Sequence, residues 1–267
     1  MHYTNFISQV FEKIAHCNFP APIQIFINRA YARFFKLDMQ EFDSLESYPT
    51  LNALFTRVLR EQRSFDDNQE KMISPCDSMI MEMGICKDNF AMQIKGKPYV
   101  LSDFITQNLE EGYWYVNFYL SPRDYHRFHA PIDLKIKSIA FVDGILLPVN
   151  KKSLEKNESL FNKNKRVVLK CEDSFGSMFY FIAVGALNVG KITIHIAPEI
   201  SILKENKEIV YENPHFLKKG DEIGCFEMGS TIVVLSKNWQ YQINNYQQLR
   251  FGDSIATHKK EADVRRD

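Results

Sequence analysis

The 267-residue chain contains no run of 18 consecutive apolar residues, so no helix is expected to span a bilayer. Its start lacks a basic stretch followed by an uninterrupted apolar core, which argues against a secretory signal. Cysteine is scarce and unpaired in pattern: Cys17, Cys76, Cys86, Cys171 and Cys225 are widely spaced, odd in number and form no CxxC pair. This argues against a disulfide framework or a zinc ribbon, and a reducing compartment fits best. Charge of one sign is also lacking. The 33 Lys and Arg balance 33 Asp and Glu, so no bulk field favours nucleic acid and none is expected as a partner. Glycine is limited to 11 residues against 21 Phe and 12 Tyr, which argues against disorder. No internal repeat is present. What remains is ordinary globular composition, 45% hydrophobic and 25% charged, with enough chain for a sizeable core in one domain or two closely joined parts.

Phe6, Val10, Phe11, Ile14 and Ala15 recur at helical spacing, and Pro20 and Pro22 interrupt the pattern. A second amphipathic pattern puts Ile23, Phe26, Ile27, Ala30 and Phe34 on one face, with Arg29, Arg33 and Lys36 beside it. Two readings stay open: helices packed into a core, or an interfacial anchor whose apolar face enters a membrane boundary. A third helix is expected across Thr50 to Leu59. Past residue 70 the character changes to short β-rich segments bounded by Asp, Asn, Gly and Pro. The expected strands are Met79–Cys86, Phe90–Ile94, Tyr113–Leu120, Leu134–Val142, Arg166–Cys171, Met178–Val184, Lys191–Ile196 and Thr231–Leu235. Short helices are expected at Leu101–Asn108 and Lys152–Phe161. The predicted fold class is α+β, with N-terminal helices followed by a β-rich, barrel- or sandwich-like body.

Three segments can carry chemistry. Met228-Gly229-Ser230-Thr231 precedes the apolar run Ile232-Val233-Val234-Leu235 and follows the turn-like Lys218-Lys219-Gly220-Asp221-Glu222. A Gly-Ser pair occurs by chance about once in a chain this long, and Gly176-Ser177 is another. Ser230 is thus either an ordinary strand entry or a reactive serine. The second segment, Tyr119 to Pro131, holds His126 and His129 amid Arg and Asp. Histidines three apart can share a face of a helical turn but not of a strand, and they exchange protons near neutrality. In a polar, Pro-bounded loop they read equally as site or as structure. The third segment is Ser74-Pro75-Cys76-Asp77-Ser78. Asp77 is either a turn residue or a carboxylate that orients a histidine.

In this order the three segments resemble the phosphatidylserine decarboxylase family. That family runs Ser/Ala-Pro-Ala-Asp-Gly, then Tyr-Leu-x-Pro-x-Asp-Tyr-His-Arg-x-His-x-Pro, then Leu-Gly-Ser-Thr. Tyr119 to Pro131 matches the second motif at every specified position. Tyr48 to Arg57, Asn164-Lys165-Arg166-Val167, Val184-Gly185-Ala186 with Val189-Gly190, and Lys219 to Phe226 resemble further family segments, so the likeness covers roughly residues 25 to 240. Cys76 and Ser78 depart from the usual Ala and Gly, and Met228 stands for Leu, a swap of similar volume. Ile192-Thr193-Ile194-His195 stands where a Trp-bearing segment is common, which puts local substrate contacts in doubt.

The resemblance implies a self-cleaving enzyme that converts phosphatidylserine to phosphatidylethanolamine and CO2. It assigns Asp77, His129 and Ser230 to a triad in which Asp77 orients His129 and His129 takes the Ser230 proton. The chain would break between Gly229 and Ser230. Ser230 would become a pyruvoyl group, the Schiff-base electrophile for the substrate amine, and no metal is implied. His126 is assigned to decarboxylation or phosphate contact. The two product chains stay together, and homo-oligomerisation is left open. The substrate is a lipid, so peripheral attachment to the cytoplasmic face of the cell membrane is expected. The expected division is residues 1–62 as a membrane-associating helical section, 63–256 as the catalytic body and 257–267 as a charged tail. Three rival readings are a metal-dependent hydrolase using His126, His129 and Asp77, a non-catalytic lipid-binding module, and a pyridoxal-dependent decarboxylase. The last lacks a suitable lysine context.

Overall fold

The computed structural model describes residues 13–187, 191–227 and 230–259, with residue 230 described as backbone. Most of the first helical pattern, the Val189-Gly190 pair, Met228-Gly229 and the end of the charged tail therefore lie outside the described residues. Helix α1 (Ala21–Phe35) starts where the sequence suggests a break, because Pro22 occupies its first turn, where no intrahelical N–H is required. It stops at Lys36, whose left-handed backbone (φ 55°) returns an N–H to Ala32. The face that α1 buries is polar. Gln24 donates to Asn28 at 2.8 Å, and Asn28 donates to the carbonyls of Leu45 (3.0 Å) and Tyr48 (2.9 Å). The apolar stripe faces outward instead, with Ile23, Phe26 and Phe34 exposed by 51%, 72% and 78%. Helix α2 (Leu51–Phe55) is shorter than expected, and Thr50 caps it by accepting the Ala53 N–H at 3.0 Å.

The rest is largely strand. In chain order come β1 (Lys71–Ile73), β2 (Ser78–Ile85), β3 (Phe90–Ile94), β4 (Lys97–Val100), helix α3 (Leu101–Ile105), β5 (Trp114–Leu120), β6 (Arg127–His129) and β7 (Leu134–Val142). Helices α4 (Lys151–Lys156) and α5 (Leu160–Lys163) replace the single helix expected there. Then follow β8 (Arg166–Asp173), β9 (Met178–Val184), β10 (Lys191–Ile194), β11 (Lys207–Leu217), β12 (Glu222–Glu227), β13 (Ser230–Ser236), β14 (Trp239–Tyr241), β15 (Gln248–Leu249) and β16 (Ser254–His258).

One antiparallel sheet of eight strands runs in the order β11-β7-β8-β9-β13-β5-β2-β15. Strand β13 lies inside it because its run Ile232-Val233-Val234-Leu235 is buried throughout, as β-branched residues covered on both faces require. Full burial of each such side chain contributes about 1.5–3 kcal/mol. Two three-stranded sheets, β10-β12-β6 and β1-β16-β14, and the hairpin β3-β4 complete the body. No closed barrel forms among the described residues, so the sandwich-like part of the expectation is the one that fits.

The chain passes twice between the large sheet and the β10-β12-β6 sheet at one place. Strand β5 pairs with β13 in the large sheet, and β6 pairs with β12 in the small one. The β5–β6 turn carries the histidine motif, and the β12–β13 connection carries Gly229-Ser230. The strands that flank these two connections are thus neighbours in both sheets.

Candidate active site

Asp124 shapes the β5–β6 turn. Its carboxylate accepts the Ser121 N–H at 2.7 Å, and its own N–H donates back to Ser121. Tyr31 on α1 donates to the Pro122 carbonyl at 3.2 Å, which ties the helical section to this turn. Arg127 donates to Thr56 at 2.9 Å and to the Glu222 carboxylate at 2.6 Å. Ser230 begins β13 opposite Leu120, the last residue of β5. The His126 carbonyl accepts the Phe226 N–H at 3.0 Å, so the histidine turn is bonded to the strand that leads to Ser230.

His129 closes β6 and is buried. Its N–H donates to the Pro75 carbonyl at 2.8 Å, which joins it to the Asp77 segment. Its Nδ1 lies 3.0 Å from the Gly220 carbonyl, an acceptor only, so Nδ1 carries the proton. Its Nε2 is then a bare acceptor and takes the Tyr125 hydroxyl at 3.1 Å. Burial pushes its pKa down to about 4, against smaller upward effects of the Gly220 carbonyl and the charges of Glu222 and Asp77. The imidazole is therefore neutral at physiological pH, as a general base must be. Gly220 holds its carbonyl there with φ +85°, and a Cβ at this position would lie 2.2 Å from the Phe65 ring.

Asp77 is engaged elsewhere. Both of its oxygens face Arg63, the Nη2–Oδ2 arm being 3.1 Å, and Oδ1 also accepts the Phe251 N–H at 2.8 Å. Arg63 continues to Glu41 at 2.9 Å, and Glu41 to Arg250. The Phe251 ring stacks on His129, with centroids 3.8 Å apart and planes at 13°. Asp77 thus reaches His129 through Phe251 and through its field.

His126 has other company. It is fully buried, its ring lies 3.9 Å from that of Phe55, and its Nδ1 donates to the Asp124 carbonyl at 2.8 Å. Nε2 has no partner. Burial, with the Arg57 charge, pushes its pKa down to about 3. The two histidines thus face different partners, and among the described residues no group of three His, Cys, Asp or Glu side chains is arranged to hold a metal ion.

Tyr125, Gly220, Phe251, Arg57 and Arg63 join the site without having been singled out as site residues in the sequence. Tyr125 lies within the histidine motif and Gly220 within the turn-like segment. Phe251 and Arg63 carry no local signal.

The family model for phosphatidylserine decarboxylase matches residues 51–257. A phosphatidylserine decarboxylase proenzyme of Helicobacter pylori is 44% identical over 257 residues, covering 94% of this chain and 96% of the relative. The proenzyme of Campylobacter jejuni is 39% identical over 270 residues, covering 96% of this chain and all of the relative. That of Plasmodium falciparum is 29% identical over 271 residues, covering 93% of this chain and 75% of the relative. With more than half of its length matched to the family model and near-complete alignment to relatives of this kind, the chain belongs to the phosphatidylserine decarboxylase family.

Proposed function

We propose that this protein is the precursor of a decarboxylase that converts phosphatidylserine to phosphatidylethanolamine and CO2, and that it matures by breaking its own backbone between Gly229 and Ser230. The observation that carries this reading is the pairing of β5 with β13 and of β6 with β12, with the His126 carbonyl accepting the Phe226 N–H, which sets the histidine turn beside the strand that leads to Ser230. The Ser230 hydroxyl takes the place of the Tyr125 hydroxyl at His129 Nε2 and gives it a proton, its oxygen attacks the Gly229 carbonyl, and the proton passes to the Ser230 nitrogen as the amide bond breaks and an ester forms. Asp77 supports the imidazolium that forms, through space and through Phe251. Elimination then frees the Gly229 carboxylate. Hydrolysis with loss of ammonia leaves a pyruvoyl group at position 230. The products are chains of 229 and 38 residues (267 − 229), and the pairing of β13 with both β5 and β9 keeps them together.

The residues present suit such a group. Thr231 Oγ1 and His126 Nε2 are buried polar atoms without a partner among the described residues, one able to donate and the other to accept. When bound, the pyruvoyl supplies a carbonyl that captures the substrate amine and draws electrons as CO2 leaves. His126, with its bare Nε2, serves turnover, while His129 serves cleavage.

The outward stripe of α1 supports a peripheral membrane role for residues 1–62 at the cytoplasmic face of the cell membrane. No helix among the described residues is long and apolar enough to cross a membrane. Arg29 is tied to Glu46 at 2.7 Å, so Arg33 and Lys36 carry most of the attraction to anionic lipid, about 1 kcal/mol each. Intact-mass measurement tests the maturation. The wild type should give two chains, the smaller blocked to N-terminal sequencing, and Ser230→Ala a single chain without decarboxylation. A Ser230→Ala protein that still splits would overturn the mechanism.

A further inference from the structure

Arg57 is a buried cation, 2% exposed, with no carboxylate in ion-pair contact among the described residues. Its guanidinium lies over the Phe42 ring at 4.5 Å, and its Nε has no partner among the described residues. Asp77 and Asp124 act on it only through space. Burying such a charge is costly, and the cost persists only where the surroundings hold it in place. What Arg57 grips is the histidine turn. Nη2 donates to the Arg123 carbonyl at 2.9 Å and to the Asp124 carbonyl at 3.2 Å.

The Asp124 carbonyl is also the acceptor of His126 Nδ1–H at 2.8 Å. Two donors from separate segments converge on one oxygen, so its direction is fixed from both sides. A carbonyl can only accept, so His126 must carry its proton on Nδ1 and leave Nε2 bare. The other groups near the ring do not compete for this choice. Phe55 offers a ring face, the Asp124 carboxylate is turned to Ser121, and Arg127 is turned to Thr56 and Glu222. Arg57 is the one charged side chain among the influences acting on His126.

We propose that Arg57 is a positioning residue for His126. By pinning the Asp124 carbonyl it selects the Nδ1–H form of the imidazole and keeps Nε2 available as an acceptor during turnover. The proposal rests on the decarboxylase reading only for the words "during turnover"; the choice of tautomer stands without it.

The test uses the full-length protein labelled with 15N, in which side-chain nitrogen shifts report the tautomer. The His126 signals are those lost in His126→Gln. The wild type should show a protonated Nδ1 and a bare Nε2 from about pH 5 to 8. Arg57→Gln should mix the tautomers and raise the titration of His126 by about one pH unit or more, since a repelling charge is gone. Arg57→Lys keeps the charge but loses the fork; it should mix the tautomers with a smaller titration shift, and it decides the matter if Arg57→Gln does not fold. In the matured enzyme, Arg57→Gln should still give two chains but lose about tenfold or more in kcat with KM little changed. Wild-type tautomer and titration in the variants would reduce Arg57 to a packing residue and overturn the proposal. Full turnover by His126→Gln would instead remove the catalytic role of His126, while the spectra still judge Arg57.

Discussion

Phe251 lies flat on His129, and the backbone of Phe251 is held by Asp77. A residue near the C-terminal end of the described chain thus sets the plane of an imidazole on β6. The carboxylate that fixes this contact is itself clamped by Arg63, which is clamped by Glu41. Orientation of the base is therefore shared. Gly220 chooses the protonated nitrogen, Tyr125 occupies the other, and Asp77 fixes the ring through Phe251.

Asp77→Asn keeps the shape of this arrangement but leaves Arg63 with Glu41 as its one carboxylate partner among the described residues. It should slow maturation markedly and, in the uncleaved Ser230→Ala background, lower unfolding free energy by about 1–2 kcal/mol. Time-resolved gels and denaturant melts measure the two effects. Maturation at the wild-type rate would remove Asp77 from the cleavage machinery.

Gly220→Ala attacks the carbonyl that holds His129. The left-handed backbone costs an alanine about 1–2 kcal/mol, and the Phe65 ring stands where the methyl would go. Slow cleavage is expected, together with a displaced Phe65. Unaltered cleavage with a destabilised fold would mean that the Gly220 carbonyl is not needed to orient the base.

Both histidines titrate lower in the folded protein than the ordinary value near 6.5, His129 at about 4 and His126 at about 3. The unfolded chain therefore binds more protons between about pH 3 and 6.5, so stability falls as pH drops through that window and is fully present above it. The combined loss is on the order of several kcal/mol. Unfolding of Ser230→Ala at a series of pH values measures it. Because His129 stays neutral, cleavage of the wild type should be insensitive to pH from about 5 to 8. A strong fall in cleavage between pH 7 and 6 would contradict the buried, uncharged state of the ring.

Phe26 and Phe34 on α1 are the most exposed members of its apolar stripe. Phe26→Ser with Phe34→Ser should weaken sedimentation with vesicles of mixed phosphatidylcholine and phosphatidylserine, and leave self-cleavage in detergent intact. Added salt should weaken wild-type binding further, because Arg33 and Lys36 act through screened charge. Undiminished vesicle binding by the double variant would move the lipid contact away from α1.

Much of this protein is written locally. The apolar runs at Met178–Val184 and Ile232–Leu235 announce strands by themselves, because a strand covered on both faces needs little else, and Leu134–Val142 announces one by the alternation of its first residues. The histidine motif likewise declares its turn, since Pro122 and Asp124 bend the chain by short-range bonds. Strands β6, β11 and β12 were not legible. Strand β6 has three residues, β11 is largely exposed, β12 carries Gly224 and a Glu at each end, and their pairing partners come from distant segments. Periodicity located the stripe on α1 but not its direction. That was decided by Leu45 and Tyr48, whose carbonyls draw Asn28 inward and turn the phenylalanines out. The family motif supplied Asp77, His129 and Ser230 as candidates. Only tertiary structure brought Gly220, Tyr125 and Phe251 around one imidazole, because ring stacking and carbonyl alignment arise between segments far apart in sequence, once the sheets have closed and water has left.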